Sequence, residues 1–174
     1  MSRGYFGIGV EGIHKPGNVG NLLRSAHAFG ANFFFTISPD VDVRSIRATD
    51  TARSFSSVPY YEYERLADMP RPKGAQYVAV EFMDDAVMMP SFRHPKSAVY
   101  ILGPERSSVS EETLAMCDHK LIIPTQFCIN VGVAGALVMY DRIVSSGRYL
   151  PRPVKAGGPK GMQPENFKAS NLKG

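Results

Sequence analysis

Short apolar runs alternate along this chain with stretches of helical spacing, and the alternation sets out its elements in order. Tyr5 to Val10 (YFGIGV) reads as a first strand with apolar and small residues at its core. Val19 to Phe29 reads as a helix, and Gly30 stands where that helix ends. Asn32 to Ser38 (NFFFTIS) predicts a second strand, Ser45 to Ser54 a short helix, and Val58 to Tyr63 an edge strand. Gln76 to Phe82 and Ala98 to Leu102 are compact apolar runs of the kind buried on both faces. Glu111 to Cys117 predicts a helix, Lys120 to Ile123 a last strand, and Ile129 to Ser145 a long closing helix. Strands alternating with helices predict an α/β fold, a mostly parallel sheet with helices on both faces. Ligands of such sheets sit beyond the carboxyl ends of the strands. Three segments occupy those ends here: HKPGNVGN, LGPERSSVS and IPTQFCIN.

Charge divides the chain in two. The net charge of +4 lies in the Pro/Gly-rich tail, where Arg152, Lys155, Lys160, Lys168 and Lys173 face Glu165 alone; acids and bases balance in the rest. Residues 1–150 therefore read as one domain and 151–174 as a basic tail. The tail cannot build a core, so it reads either as a solvated, partly disordered end or as an arm for a polyanion. Cys117 and Cys128 give neither a disulfide framework nor a metal-ligand spacing. No run approaches the roughly 18 apolar residues of a membrane span. The start, MSRGYFGIGVEGI, alternates like a strand and lacks the apolar region of a signal peptide. A reducing cytoplasm is the compartment these features suggest.

The strand-end segments carry the candidate chemistry. PGNVGN is not the dinucleotide fingerprint, nor does a Gly-Lys-Ser/Thr follow it as in a phosphate loop. Asn18, Asn21 and Arg24 recur every three residues and share one side of the first helical turns, with His27 extending the row. The plainer alternative has Asn18 as a helix cap and Arg24 as a solvated charge. Gly103 allows close approach to a ligand, Pro104 fixes the turn, and Glu105 projects where the strand ends. Gly132, Ala134, Gly135 and Ala136 leave little bulk on the closing helix, so a ligand or another helix packs closely there. Cys128 has no evident activating partner and reads as a small buried thiol rather than a nucleophile.

In this order and spacing the segments resemble the SpoU (TrmH-type) RNA ribose methyltransferases of the SPOUT superfamily. Asn18, Gly20-Asn21 and Arg24 match the first motif. Leu102-Gly103-Pro104-Glu105 match the second. Ile123-Pro124 and Cys128-Ile129-Asn130-Val131-Gly132-Val133-Ala134 match the third, so that the likeness runs from about residue 8 to residue 143. It implies a C-terminal deep trefoil knot, a homodimer, and S-adenosylmethionine-dependent methyl transfer to a ribose 2′-hydroxyl of structured RNA, tRNA before rRNA. It implies a catalytic group of Arg24, Asn18, Glu105 and Asn130, and a cofactor site at Gly103, Leu102, Ile123, Gln126, Cys128, Glu81 and Val133, with no metal. Arg24 would bind phosphate and steady the forming alkoxide, because a guanidinium is a poor general base. Arg44, Arg47 and Arg53, with Lys155 and Lys160 of the tail, form the candidate RNA footprint. Three departures reshape the cofactor rim. Only Thr125, Gln126 and Phe127 separate Ile123-Pro124 from Cys128, Cys128 replaces a serine, and Arg106-Ser107-Ser108 replaces a glycine-containing stretch. They leave open, as an alternative, a catalytically weak or inactive RNA-binding module of the same fold.

Overall fold

The computed structural model describes residues 4–42, 54–104, 107–147, 149 and 152–158. Strands β1 (Tyr5–Glu11), β2 (Phe33–Ile37), β3 (Tyr60–Tyr63), β4 (Gln76–Val80), β5 (Val87–Met88), β6 (Ser97–Leu102) and β7 (His119–Ile122) form a single sheet. Its order is β3-β2-β1-β6-β4-β7-β5, and every neighbouring pair is parallel. Helices α1 (Pro16–Phe29), α2 (Ser54–Ser57), α3 (Glu111–Met116) and α4 (Val131–Ser146) connect and cover it. The mostly parallel α/β sheet expected from the alternating pattern is therefore present. The helix expected over Ser45 to Ser54 falls outside the described residues except at Ser54, which begins α2.

Period-two alternation sorts each strand between two faces. Phe6, Ile8, Val10, Phe34, Val78, Tyr100 and Leu102 meet Leu22, Leu23 and Ala26 of α1 and Val138 and Met139 of α4 in one core. Phe33, Phe35, Ile37, Tyr77, Val99 and Ile101 form the second, with Leu66, Met69 and, at its margin, Met116 and Cys117. On this second face β1 presents glycine, and neighbouring rings take the vacated space. A Cβ on Gly7 would run into the Phe33 ring, and one on Gly9 would lie 2.6 Å from the Phe35 ring.

Helix ends differ from the sequence pattern by a few residues, for local reasons. Pro16, whose fixed φ suits the first turn, starts α1 three residues before Val19. Gly30 ends it in the left-handed conformation at φ 73°, donating to the carbonyls of Ala26 and His27. Asn130 caps α4, its Oδ1 accepting from Gly132 N at 2.9 Å and Val133 N at 3.3 Å. The neighbour that the small residues of α4 accommodate is α1. A Cβ on Gly132 would lie 3.3 Å from Asn21 Cβ, and one on Gly135 would collide with the Leu22 side chain. The short edge strand β5, paired with β7, carries no alternating run of its own and is not signalled by the sequence pattern.

A buried polar chain fixes the far half of α4. The Arg142 guanidinium, in a residue only 3% exposed, donates to the carbonyls of Pro95 (2.6 Å) and Lys96 (2.8 Å) and to the Tyr100 hydroxyl (3.1 Å). Tyr100 in turn lies 2.6 Å from His94 Nδ1, and His94 Nε2 lies 2.9 Å from Asp141. The bonds run in one direction: Arg142 occupies the tyrosine oxygen, so the hydroxyl donates to Nδ1 and neutral His94 donates through Nε2. Burial pushes Tyr100 up to about 12 and, outweighing Asp141, holds His94 below the ordinary imidazole value. Below about pH 6.5 the unfolded chain takes up a proton at this histidine more readily than the folded one. Stability contributed here is complete at neutral pH and is lost as the pH falls toward the folded-state value. The melting temperature should drop between pH 7.5 and pH 5, and in the His94→Gln variant that drop should shrink; a variant with the wild-type slope would assign the pH dependence elsewhere.

Candidate functional site

The register of the central strands brings three carboxyl ends to one level. Val10 of β1 and Val80 of β4 both stand beside Leu102 of β6. Beyond them lies a cleft of about 420 Å³, within the range of small-molecule sites. Its walls come from the turns after β4, β6 and β7 and from the start of α4. Val80, Leu102, Ile122, Ile123 and Ile129 make it largely apolar, while Glu81, Ser107, Ser108 and Thr125 supply polar groups.

Of the residues expected at the cofactor, Leu102, Gly103, Glu81, Ile123 and Cys128 line this cleft. Gln126 and Val133 do not line it, and both are exposed. The turn that carries Gln126 is closed on itself, Thr125 N donating to Ile123 O at 2.8 Å and Thr125 Oγ1 to Phe127 O at 2.9 Å. Cys128 is not the buried thiol its sequence setting suggests, because the strand-to-helix turn leaves it exposed at the cleft wall. The other cysteine, Cys117, is the sheltered one: burial pushes its thiol up to about 11, and its Sγ donates to Thr113 O at 3.2 Å. Gly103 sits where side chains would not fit, since a Cβ there would come within 2.5 Å of Glu81 Oε2 and 3.2 Å of Val109 N.

Beside the cleft, α1 and α4 meet through two asparagines. Asn130 Oδ1 is occupied by the α4 cap, so its Nδ2 is the atom left to reach α1, and it donates to Asn18 Oδ1 at 3.0 Å. Asn18 is 7% exposed and lies inside the first turn of α1, whose N-terminal flank is Lys15; it is not the helix cap. The Asn18 Nδ2 atom is buried without a hydrogen-bond partner. Arg24, nearly two turns further along α1, is exposed and makes no hydrogen bond or ion pair with a described residue. Glu105, Arg44, Arg47, Arg53 and Lys160 lie outside the described residues, and Lys155 is exposed. Among the described residues no group of three or more His, Cys, Asp or Glu is placed to hold a metal ion. No described helix is long and apolar enough to cross a membrane.

One residue of the region goes unmarked in the motif reading. Glu11 follows Val10 at the end of β1 as Glu81 follows Val80 after β4, and its carboxylate accepts three hydrogen bonds from the segment after β6. The signal was available: GVE and AVE, two apolar runs that both end in Val-Glu.

The same chain segments match known proteins. The SpoU rRNA Methylase family model covers residues 6–140. The tRNA (guanosine(18)-2′-O)-methyltransferase of Escherichia coli is 29% identical over 150 residues, 81% of this chain and 65% of that protein. The chain thus spans a little under two thirds of that relative's length. An AdoMet-bound rRNA methyltransferase from Sinorhizobium meliloti shares the fold at a TM-score of 0.72, with 20% identity, over 81% of this chain and 56% of that one. A structure concerned with 2-OH methylation of C/U34 on tRNA aligns at a TM-score of 0.70 and 20% identity, covering 83% of this chain and 97% of the other. A match to the family model over most of the parallel sheet, its strand-end cleft and the α1–α4 joint places this chain in the SpoU rRNA Methylase family.

Proposed function

We propose that this chain transfers a methyl group from S-adenosylmethionine to a ribose 2′-hydroxyl of structured RNA, tRNA in preference to rRNA. The observation that carries the reading is the adjacency of the cleft to the Asn18–Asn130 joint, on whose α1 side Arg24 stands exposed. The residues present fit the cofactor. The aliphatic walls suit an adenine ring, Glu81, Ser107 and Ser108 offer partners for ribose and amino-acid groups, and Gly103 keeps the floor free of side-chain bulk. When bound, the cofactor supplies a methyl group on a positively charged sulfur, which departs as a neutral thioether.

The protein's part is placement and charge. Leu102, Gly103, Ile123, Cys128 and Glu81 hold the donor in the cleft, with the backbone near Gln126 and Val133 closing its outer side. Asn130 and Asn18 fix α1 against α4, so that Arg24 is set relative to the donor. Arg24 binds the phosphate beside the target ribose and stabilises negative charge on the 2′-oxygen as its proton passes to solvent water and the new carbon–oxygen bond forms. Glu105 anchors this arrangement from the second motif. Arg44, Arg47, Arg53, Lys155 and Lys160 supply phosphate contacts. The names of the relatives favour tRNA: the Escherichia coli protein is a tRNA methyltransferase, and one structural neighbour concerns tRNA methylation. No comparison favours the catalytically inactive RNA-binding alternative.

A homodimer, a C-terminal trefoil knot and a cytoplasmic location belong to the same proposal. For the dimer, Val133 (52% exposed), Leu137 (36%) and Tyr140 (53%) form an apolar stripe at helical spacing on the outer side of α4, a surface that a second copy would cover. For the knot, the support is the likeness to SpoU folds and a cleft assembled from the turns after β4, β6 and β7, against which α4 starts on its way back to α1.

Three experiments test the reading. Calorimetry should show S-adenosylmethionine binding to the wild type. Arg24→Ala should then lower turnover by about 10²–10³-fold while affinities for cofactor and tRNA stay within about threefold. Equal losses in turnover and tRNA binding would reduce Arg24 to a binding contact, and no cofactor binding by the wild type would remove the methyltransferase reading. Deleting residues 151–174 should weaken tRNA binding and reduce the dependence of log K on log salt by about 0.7–0.9 for each phosphate that the tail neutralises. An unchanged slope would reject the tail as an RNA arm.

A further inference from the structure

Two neighbouring backbone amides after β6 are each held by a different carboxylate. Val109 N donates to Glu81 Oε2 at 2.9 Å, and Ser110 N donates to Glu11 Oε2, also at 2.9 Å. Glu11 Oε1 accepts two further bonds, from Ser110 Oγ at 2.7 Å and Thr113 Oγ1 at 3.0 Å. The other oxygen of Glu81 accepts from the adjacent Phe82 N at 2.8 Å. The two acids come from the strands on either side of β6, each one residue past the valine that stands in register with Leu102. The segment leaving β6 is thus gripped from both flanks. Between Gly103 and the gripped amides lie Ser107 and Ser108, which form one wall of the cleft.

We propose that Glu11 is a positioning residue for the cofactor: with Glu81 it clamps the segment after β6, so that the wall formed by Gly103, Ser107 and Ser108 keeps the shape the donor needs. This rests on the reading of the cleft as an S-adenosylmethionine site. Glu11 lines no part of the cleft, so its effect passes through Ser110 and Thr113. The same carboxylate joins the two halves of the site. Immediately after it Gly12, at φ 59°, begins the turn into α1, and a Cβ there would meet Pro104 Cβ at 3.3 Å. The turn that delivers Arg24 and the turn that walls the cleft are therefore packed together and pinned by one side chain. Bonds to a carboxylate are the stronger kind, and cutting three at once frees the segment rather than loosening it. Glu81 borders the cleft and so mixes clamping with direct contact; Glu11 isolates the clamp.

The test compares wild type, Glu11→Ala and Glu11→Gln as full-length protein. Hydrogen exchange in the peptide spanning residues 107–113 should quicken in Glu11→Ala, whether or not cofactor is bound. Calorimetry should show S-adenosylmethionine affinity about tenfold or more lower in Glu11→Ala, with KM for the cofactor raised, kcat at saturation largely kept, and tRNA affinity within about twofold. Glu11→Gln, which retains one acceptor oxygen, should recover part of the loss. Unchanged exchange at 107–113 would overturn the clamp. Unchanged cofactor affinity well below the melting temperature would leave Glu11 a stabilising residue only, and parallel loss of cofactor and tRNA binding would mark general damage; either outcome overturns the positioning role. A wild type that binds no S-adenosylmethionine but shows the exchange difference would keep the clamp and overturn its assignment to this cofactor.

Discussion

Parallel pairing of β1, β6 and β4 in one register is the constraint from which the rest of the site follows. Because Val10, Leu102 and Val80 stand side by side, the chain leaves three strands at the same height and on the same edge. Parallel strands end at one edge together, so their following turns are forced into contact. Those turns carry the start of α1, the Gly103–Pro104 segment and Glu81. The turn after β7 completes the enclosure, since β7 pairs with β4 on the far side. Nothing in the cleft is made by one segment alone.

Helix packing supplies the second half of the arrangement. Helices α1 and α4 lie over the same face of the sheet, and the missing side chains at Gly132 and Gly135 let α4 come close to Asn21 and Leu22. Glycine inside a helix costs about 1 kcal/mol relative to alanine. Here it permits a near approach that brings Asn130 within hydrogen-bonding distance of Asn18. At the opposite end of α4, Arg142 reaches the carbonyls of Pro95 and Lys96 and the hydroxyl of Tyr100. The helix is thereby held at both ends by polar bonds and in the middle by Val138 and Met139. A long lever fixed at two points sets the position of its first turn, where the cleft begins.

The site in turn divides its labour between shape and charge. Aliphatic residues and a glycine floor define the cleft, while the acids Glu11 and Glu81 hold the segment after β6 through its amides and, for Glu11, the hydroxyls of Ser110 and Thr113. Arg24 is exposed and has no partner among the described residues. Cys128 at the wall contributes a weaker hydrogen-bonding group than a hydroxyl and more apolar surface.

The sequence by itself determined the order of the elements other than the short edge strand β5, the parallel sheet and the segments that end its strands. These depend on local periodicity and on glycine and proline, whose backbone limits act within a few residues: Gly30 ends α1 as its chemistry dictates, and Pro16 begins it. The motif spacing also put Asn18 and Asn130 on the two helices that meet at the site. Only the tertiary structure decided what each polar side chain touches. Asn18 reads as a helix cap from its neighbours alone, yet it is buried where α1 meets Asn130 at the start of α4. Gln126 sits in the right segment but is exposed and lines no part of the cleft, in a turn that Thr125 closes on itself. Glu11 and Ser110 are 99 positions apart, and His94 and Asp141 are 47 apart. Such pairs have no periodic signature: a hydrogen bond across the fold is set by strand order and register, and these are settled only when the whole hydrophobic pattern is satisfied at once.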